Sequence, residues 1–230
     1  MLYLVERKKV VIVGIPGVGK TSLVTRIVEL INAQKHCASV HSYGSVMMDE
    51  ATNNQVSDRD NLRHLPVSQQ KELQKQAAKK IAELTDDGVS DRDSLRRLPV
   101  SEQKALQKKA ASKIAELTDD VIFIDTHAFI STKEGFYPGL PNHVIQILEP
   151  TQFIAISARP EEIYNRRMKD DTRNRDKISI EAIKKELAVQ DAMLSSCSVL
   201  SGSPMKVILN NEGKIEEAAQ NVIDAIGVDE

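Results

Sequence analysis

Residues 14–21 have the sequence GIPGVGKT, a complete match to the phosphate-loop pattern G-x-x-x-x-G-K-[ST]. The β-branched run VVIV (10–13) precedes the match and the apolar-periodic segment SLVTRIVELI (22–31) follows it, which is the strand-then-helix context that the pattern requires. The glycines of such a loop let backbone N–H groups turn toward a phosphate at the helix N-terminus. We therefore predict that one continuous segment binds a nucleotide: Gly14, Ile15, Pro16, Gly17, Val18, Gly19, Lys20, Thr21 and Ser22.

A second predicted strand supplies a carboxylate for the same site. The segment VIFID (121–125) consists of four apolar residues followed by Asp125. An aspartate at the carboxyl end of such a strand holds Mg²⁺ beside the hydroxyl group of the phosphate loop. We expect Thr21 and Asp125 to be the protein ligands of a Mg²⁺ ion that binds with the nucleotide. Lys20 is expected to be catalytic, because its side chain reaches the outer phosphates.

Strand and helix signals alternate along the chain. Apolar, β-rich runs mark five strands, at 8–15, 38–44, 121–127, 152–158 and 205–211. Helical patterns occur between or after them, at 20–33, 141–148, 160–169, 179–199 and 214–226. This order predicts an α/β fold with a doubly wound, five-stranded parallel sheet, in a single domain spanning 1–230.

Two adjacent segments of 33 residues are nearly identical. Copy one, QVSDRDNLRHLPVSQQKELQKQAAKKIAELTDD (55–87), and copy two, GVSDRDSLRRLPVSEQKALQKKAASKIAELTDD (88–120), agree at 26 positions. Because two units are too few for a solenoid, we interpret them as a tandem duplication inside the domain. Each copy contains a long helical pattern, and the apolar stripe of copy two is formed by Leu106, Ala110, Ile114 and Leu117.

The composition argues against several classes of protein. The chain has 31 Lys and Arg against 33 Asp and Glu, with 3% aromatic residues and no Trp, which disfavours a nucleic-acid surface. Its two cysteines lack metal-ligand spacing, so we expect no disulfide framework, no zinc site and a reducing, cytoplasmic location. No stretch of the sequence contains the about eighteen consecutive apolar residues that a membrane-spanning helix needs, so we expect no membrane segment.

Basic residues are concentrated in YNRRMKDDTRNRD (164–176), which contains Arg166, Arg167, Lys169, Arg173 and Arg175. Taken alone, this run fits a solvated helix end, because three aspartates offset its charge. Phosphoryl transfer, however, depends on neutralising the charge of the transferred group, and arginine binds phosphate bidentately. Together with the phosphate loop and Asp125, the run predicts a short lid over 164–178 that closes on the nucleotide and excludes water.

Six segments resemble those of archaeal adenylate kinases and occur in the same order: GIPGVGKT, YGSVM (43–47), DRDSLRRL (91–98), IDTH (124–127), KEGFYPGLP (133–141) and RRMKDDTRNRD (166–176). The resemblance covers nearly the whole chain except one of the two copies. It implies phosphoryl transfer from Mg·ATP to AMP, giving two ADP, on a P-loop kinase fold with a helical arm for the monophosphate. It also implies assembly into a homotrimer.

The resemblance implies roles for individual residues as well. The catalytic lid residues would be Arg167, Arg173 and Arg175. The AMP-binding residues would be Gly44, Ser45, Arg92, Arg96 and Gly139. Asn210, in the turn NNEG (210–213), would lie where such kinases contact the adenine of ATP. The family has a single copy of the duplicated segment, so Arg59 and Arg63 of copy one are the alternative to the two arginines of copy two.

Three other functions are compatible with parts of the sequence. A phosphate-loop kinase for another nucleoside monophosphate, or for a small metabolite, would use the same arm to bind the phosphate of its acceptor. A GTP-binding switch would share GVGKTSL (17–23), but the chain has no guanine-reading N-K-x-D motif, and its only D-x-x-G, DAIG (224–227), falls on the last predicted helix. The duplicated helices could instead bind a partner, although their near-balanced charge is typical of ordinary surface helices.

Overall fold

The computed structural model describes residues 7–47, 49–50, 100–132, 135–169 and 179–228. In chain order its elements are β1 (Lys8–Gly14), α1 (Lys20–Ala33), β2 (Ala38–Ser42), α2 (Val100–Ala115), β3 (Val121–Thr126), β4 (Phe129–Thr132), β5 (Gly135–Pro138), α3 (Asn142–Leu148), β6 (Gln152–Ser157), α4 (Pro160–Met168), α5 (Ile180–Ser201), β7 (Met205–Leu209) and α6 (Ile215–Ile226). Residues 43–47 and 49–50 are also helical.

Five parallel strands form one sheet in the order β2-β3-β1-β6-β7. The central strands are buried along most of their length, with Val10 to Val13 of β1 and Phe153 to Ile156 of β6 almost completely inaccessible. Continuous apolar runs of this kind are typical of a parallel sheet that is covered on both faces. The predicted α/β fold with a doubly wound, five-stranded parallel sheet is confirmed, and the five helical patterns are found within two residues of their predicted bounds.

Helices α1 and α6 contribute much of the core beside this sheet. The buried residues Leu23, Ile27 and Ile31 of α1 recur at the spacing of one helix face, and Val222 and Ile223 of α6 belong to the same buried cluster. Burying a large apolar side chain stabilises the fold by roughly 1.5 to 3 kcal/mol. This packing fixes α1, and therefore the phosphate loop that precedes it, against the sheet.

The chain divides into two compact units, residues 1–42 with 114–230 and residues 43–113. The first unit contains the sheet. In the second, the buried Tyr43 donates its hydroxyl hydrogen to the carbonyl oxygen of Gln107 at 2.7 Å, and Lys113 pairs with Glu50 at 3.3 Å. Burial raises the pKa of Tyr43 well above its ordinary value, which keeps the hydroxyl group a donor.

Several features of the structure differ from the sequence-based expectation, among them the ends of β2 and β7, which each stop two residues early. β2 ends at Ser42 and not at residue 44, because Tyr43 begins the helical residues of the second unit. An antiparallel hairpin, β4 with β5, was not anticipated. In the stripe of copy two, Leu106, Ala110 and Ile114 are buried as expected. Leu117 lies beyond the end of α2 and is only half-buried; its N–H donates to the Ile114 carbonyl oxygen at 3.2 Å.

Asp119 and Asp120, which immediately precede β3, connect the beginnings of neighbouring strands. The Asp119 carboxylate accepts hydrogen bonds from the Ser39 hydroxyl and the Cys37 thiol. Asp120 accepts the N–H of Cys37 on its side chain and the N–H of Lys8 on its carbonyl oxygen, both at 2.8 Å. The carboxyl end of copy two is therefore fastened to the amino ends of β1 and β2.

These contacts give a prediction for the pH dependence of stability. The hydrogen bonds from Ser39 and Cys37 lower the pKa of Asp119. A carboxylate with a depressed folded-state pKa stabilises the fold above its unfolded pKa of about 3.9, and this contribution is lost as the pH falls through the folded-state pKa. We expect Asp119→Asn to lower the free energy of unfolding at pH 7 and pH 5, and the difference from wild type to shrink toward pH 3. Urea unfolding at each pH measures this difference.

The same substitution at the exposed Asp49 is the control, and an Asp119→Asn difference that did not change with pH would contradict the prediction.

None of the helices in the described part of the chain has both the length and the apolar character needed to cross a membrane.

Candidate functional site

The phosphate loop joins the end of β1 to the beginning of α1. Gly17 and Gly19 have φ values of 90° and 79°, in the left-handed region that favours glycine, and Gly19 is the N-cap of α1. A Cβ atom at Gly14 would lie 2.7 Å from Cγ2 of Val18, so the loop also closes tightly on itself. The loop thus brings its backbone to the N-terminus of α1, where N–H groups and the helix dipole favour an anion.

Lys20 and Asp125 meet at the carboxyl edge of the sheet. Asp125 lies opposite Ile12 in the parallel pairing of β3 with β1, two residues before β1 ends in the loop. The Lys20 ammonium forms an ion pair with the Asp125 carboxylate and donates to the carbonyl oxygen of Thr126 at 2.6 Å. The Lys20 side chain is 10% exposed and that of Asp125 is 26% exposed. The structure therefore brings these two predicted site residues together.

The chemistry of the site fits a Mg²⁺ ion that binds together with phosphates. Among the residues that the structure describes, no cluster of three or more His, Cys, Asp or Glu side chains could hold a metal. Asp125 offers a carboxylate, and Thr21 offers a hydroxyl group in the exposed first turn of α1. Mg²⁺ prefers oxygen ligands and is commonly held by one or two protein groups plus the phosphates of its substrate. These two residues match that requirement.

The remaining predicted loop residues alternate between buried and accessible. Ile15 and Val18 are buried in the core, whereas Pro16 and Ser22 are exposed and Gly17 and Gly19 are half-buried. The apolar side chains anchor the loop from below. Its backbone supplies the polar surface.

Arg167, implied to be a lid residue, is almost completely buried in the structure. Its Nε donates to the carbonyl oxygen of Pro16 and its Nη2 to the Glu186 carboxylate of α5, both at 2.7 Å. A Cβ atom at Gly17 would lie 3.0 Å from its Cγ. Arg167 is thus packed under the phosphate loop and paired with a carboxylate.

Arg166, its neighbour on α4, also contacts the loop. Its Nη1 donates to the carbonyl oxygens of Gly17 at 3.4 Å and Val18 at 3.3 Å. Its Nη2 donates to the carbonyl oxygen of Asn210 at 3.0 Å and to the Glu162 carboxylate at 3.4 Å. The sequence predicts no specific role for Arg166, and the three carbonyl groups to which it donates lie 44 to 149 residues away in the chain.

Asn210 follows β7 directly and is buried, with 5% of its surface exposed. Its side-chain Nδ2 donates to the carbonyl oxygens of Val18 at 2.9 Å and Gly19 at 3.4 Å. Its backbone N–H is bonded to the carbonyl oxygen of Ser157 at the end of β6. The side chain of this residue, which the resemblance associates with adenine, is therefore directed at the phosphate loop.

The residues predicted for the acceptor are only partly described. Gly44 is half-buried and Ser45 is exposed, both among the helical residues 43–47. Gly139 donates its N–H to the Ala128 carbonyl oxygen at 2.9 Å, and a Cβ atom there would lie 1.9 Å from the His127 carbonyl oxygen, so only glycine fits. Arg92 and Arg96 of copy two, Arg59 and Arg63 of copy one, and Arg173 and Arg175 of the lid lie outside the described residues.

Comparisons with known proteins match this chain to a domain family and to full-length adenylate kinases. A family model described as an AAA domain matches residues 13–90 and 82–184. An adenylate kinase from Methanocaldococcus jannaschii is 32% identical over 222 residues, which are 96% of this chain and 99% of that protein. An adenylate kinase from Sulfurisphaera tokodaii is 33% identical over 220 residues, 94% of this chain and 97% of that protein. Among solved structures, a shikimate kinase from Bacteroides thetaiotaomicron aligns with 96% of this chain and 99% of its own, at 10% identity and a TM-score of 0.48.

Proposed function

This chain belongs to the adenylate kinase family, and on that premise we propose that it transfers a phosphoryl group reversibly from ATP to AMP, giving two ADP, as an enzyme of the archaeal type. The observation that carries this proposal is the match to archaeal adenylate kinases over nearly the full length of both chains. The phosphate loop, with Lys20 and Asp125 at one edge of the sheet, supports the proposal because it offers a binding site for the phosphates of ATP.

The reaction makes one bond and breaks one bond. An oxygen of the AMP phosphate attacks the γ-phosphorus of ATP, and the bond between that phosphorus and the β–γ bridging oxygen breaks. AMP becomes ADP, and the remainder of ATP leaves as the second ADP. Negative charge shifts toward the bridging oxygen, so catalysis depends on fixed positive charge and on oriented amide groups. Lys20 supplies that charge at the head of α1.

Thr21 and Asp125 are the residues that would hold the Mg²⁺ ion accompanying ATP. When bound, the ion neutralises charge on the outer phosphates. Asp125 is held in place for this role by its position in β3, beside the phosphate loop.

The acceptor and lid residues follow the resemblance. The residues assigned to AMP are Gly44, Ser45, Arg92, Arg96 and Gly139. The lid spans 164–178, with Arg167, Arg173 and Arg175 neutralising the transferring group. The anchoring of Arg167 under the phosphate loop supports a role close to the phosphates for the beginning of this segment.

Assembly and location are part of the same proposal. We assign the enzyme to the cytoplasm and to a homotrimer, and we assign the repeated segment to a tandem duplication within one kinase domain spanning 1–230. Large apolar side chains are exposed at the end of α5, Val199 and Leu200, and on the edge strand β7, Val207 and Leu209. Surface of this kind is suited to subunit contacts.

A coupled assay of ADP formation tests the reaction. With Mg·ATP and each acceptor in turn, we expect kcat/KM for AMP to exceed that for GMP, CMP, UMP and shikimate by at least about tenfold, which corresponds to about 1.4 kcal/mol of discrimination. A reaction without acceptor measures ATP hydrolysis, and the Lys20→Ala protein purified in the same way controls for contaminating kinases. Robust turnover only with a different acceptor would replace AMP by that acceptor, and turnover of ATP without any acceptor would contradict the kinase assignment.

A further inference from the structure

Four consecutive carbonyl groups of the phosphate loop, those of residues 16–19, accept hydrogen bonds from side chains that lie outside the loop. The donors are two neighbouring arginines of α4, Arg166 and Arg167, and one asparagine after β7, Asn210. Because these donors come from distant parts of the chain, the orientation of the loop depends on tertiary contacts as well as on its glycines.

The hydrogen bonds have a direct consequence for the N–H groups of the loop. A trans peptide unit is planar, so its C=O and N–H groups point in opposite directions. A donor that holds the Val18 carbonyl oxygen on the outside therefore turns the Gly19 N–H to the other side, and a donor on the Gly19 carbonyl oxygen does the same for the Lys20 N–H. Amides fixed in this way can meet an anion without reorganising, which is the condition for strong electrostatic stabilisation.

Asn210 is held rigidly for this task. Its backbone N–H bonds to Ser157 at 2.8 Å, and its carbonyl oxygen accepts from Arg166 at 3.0 Å. The Asn210 side chain occupies space that is free because residue 19 is glycine: a Cβ atom at Gly19 would lie 2.7 Å from Asn210 Nδ2. Arg166 is held from its other side by Glu162, which also accepts the N–H of Glu212 at 2.9 Å. Asn210, Arg166 and Glu162 thus form one bonded network beneath the loop, which we call the loop-supporting network.

We propose that Asn210 and Arg166 are positioning residues for the triphosphate of ATP, acting through the peptide units of residues 17–20 and not by contact with the adenine base. The inference rests on the proposed function only in taking a nucleoside triphosphate as the ligand of the loop. The side-chain nitrogen of Asn210 donates to the loop carbonyl oxygens, so its effect is exerted on the phosphates. Replacing either side chain disorients loop amides and weakens the binding of any ligand that carries the same phosphate chain.

The test compares ATP with inorganic tripolyphosphate, which lacks the base and the sugar. Asn210→Leu removes the amide donors without adding charge, and Asn221→Leu, at an exposed position of α6, is the matched control. The dissociation constant for ATP is measured by titration calorimetry at fixed Mg²⁺, and that for tripolyphosphate by displacement of ATP. We expect Asn210→Leu to weaken both ligands by a similar factor of at least about tenfold, because the Val18 and Gly19 carbonyl groups each lose one of their donors, while Asn221→Leu changes neither. The KM for AMP should stay within about twofold of wild type.

Two outcomes would overturn the proposal. Loss of ATP affinity with unchanged tripolyphosphate affinity would place Asn210 at the base, and unchanged affinity for both ligands would make its contacts purely structural. Neither result depends on the identity of the acceptor, so a failure of this inference is distinguishable from a failure of the proposed reaction.

Arg166 provides a second, independent variant in case Asn210→Leu does not fold. A lysine keeps the positive charge but cannot bond to three carbonyl groups in the fixed geometry of a guanidinium. We expect Arg166→Lys to recover only part of the affinity for ATP and tripolyphosphate that Arg166→Ala loses. Full recovery by lysine would show that net charge is sufficient, and would overturn the positioning role.

Discussion

The Lys20→Ala protein is expected to turn over at least about a hundredfold more slowly than wild type, with its fold preserved. Lys20 is the first residue of α1, directly after the phosphate loop, and its ammonium contacts the Asp125 carboxylate and the Thr126 carbonyl oxygen at the carboxyl edge of the sheet. Removing one preorganised group that stabilises transition-state charge typically costs about 10²–10³ in kcat. No apolar core residue loses its packing, so circular dichroism and the melting temperature should stay close to wild type. Steady-state kinetics with saturating ATP and AMP measures the loss.

A matched substitution separates catalysis from a general effect of charge. Lys214 is well exposed and pairs with Glu217 within three residues, so Lys214→Ala removes the same charge at a surface ion pair. Such pairs contribute little to stability, and we expect normal kinetics. A Lys20→Ala protein that melts far below wild type would show that the Lys20–Asp125 pair is chiefly structural.

The sequence predicts the sheet well because its strands are unambiguous. β1, β3 and β6 each contain a run of four consecutive apolar residues, as is typical of a strand covered on both faces. The end of β2 could not be placed in the same way. Tyr43 has high strand propensity, but its ring is buried and its hydroxyl bonds to Gln107 in the second unit. A tertiary contact overrides propensity there.

The β4–β5 hairpin illustrates a weaker signal. Its strands have only four residues each, and four residues cannot establish an alternating pattern. The packing of Phe129 edge-to-face against Phe136, with ring centroids 4.9 Å apart, brings these strands together in the fold. Two aromatic residues seven positions apart do not by themselves predict a pair of strands.

In the candidate site, too, some residues could be predicted from sequence motifs and others only from the fold. The loop and Asp125 are predictable because each belongs to a motif, and parallel pairing of adjacent strands places them at one edge. The supporting contacts of Arg166, Arg167 and Asn210 are not, since Asn210 meets Val18 across 192 positions of the chain. Only the fold brings them together. The resemblance located Arg167 and Asn210 near ATP but could not say whether they face the nucleotide or the backbone beneath it.

The second large effect concerns the two copies, and we predict that copy two forms the acceptor arm. Leu106, Ala110 and Ile114 of its helix are buried. Its final residues, Asp119 and Asp120, are bonded to the first residues of β1 and β2. Burial of the two large side chains contributes roughly 1.5 to 3 kcal/mol each. We therefore expect AMP binding to depend on the arginines of copy two.

Matched double variants test this dependence. We expect Arg92→Ala with Arg96→Ala to raise the KM for AMP on the order of a hundredfold, since two charge-assisted hydrogen bonds at about 1.5 kcal/mol each are lost, while the KM for ATP is little changed. Arg59→Ala with Arg63→Ala, the same substitutions at the equivalent positions of copy one, should leave both KM values near wild type. Deleting residues 55–87 should preserve kinase activity, because it restores a single copy and retains the anchored junction at Asp119 and Asp120. The opposite sensitivity of the two arginine pairs would show instead that copy one binds the acceptor. In that case the buried helix of copy two would have a structural role only. Deleting 55–87 would then preserve activity only if Arg92 and Arg96 replaced Arg59 and Arg63.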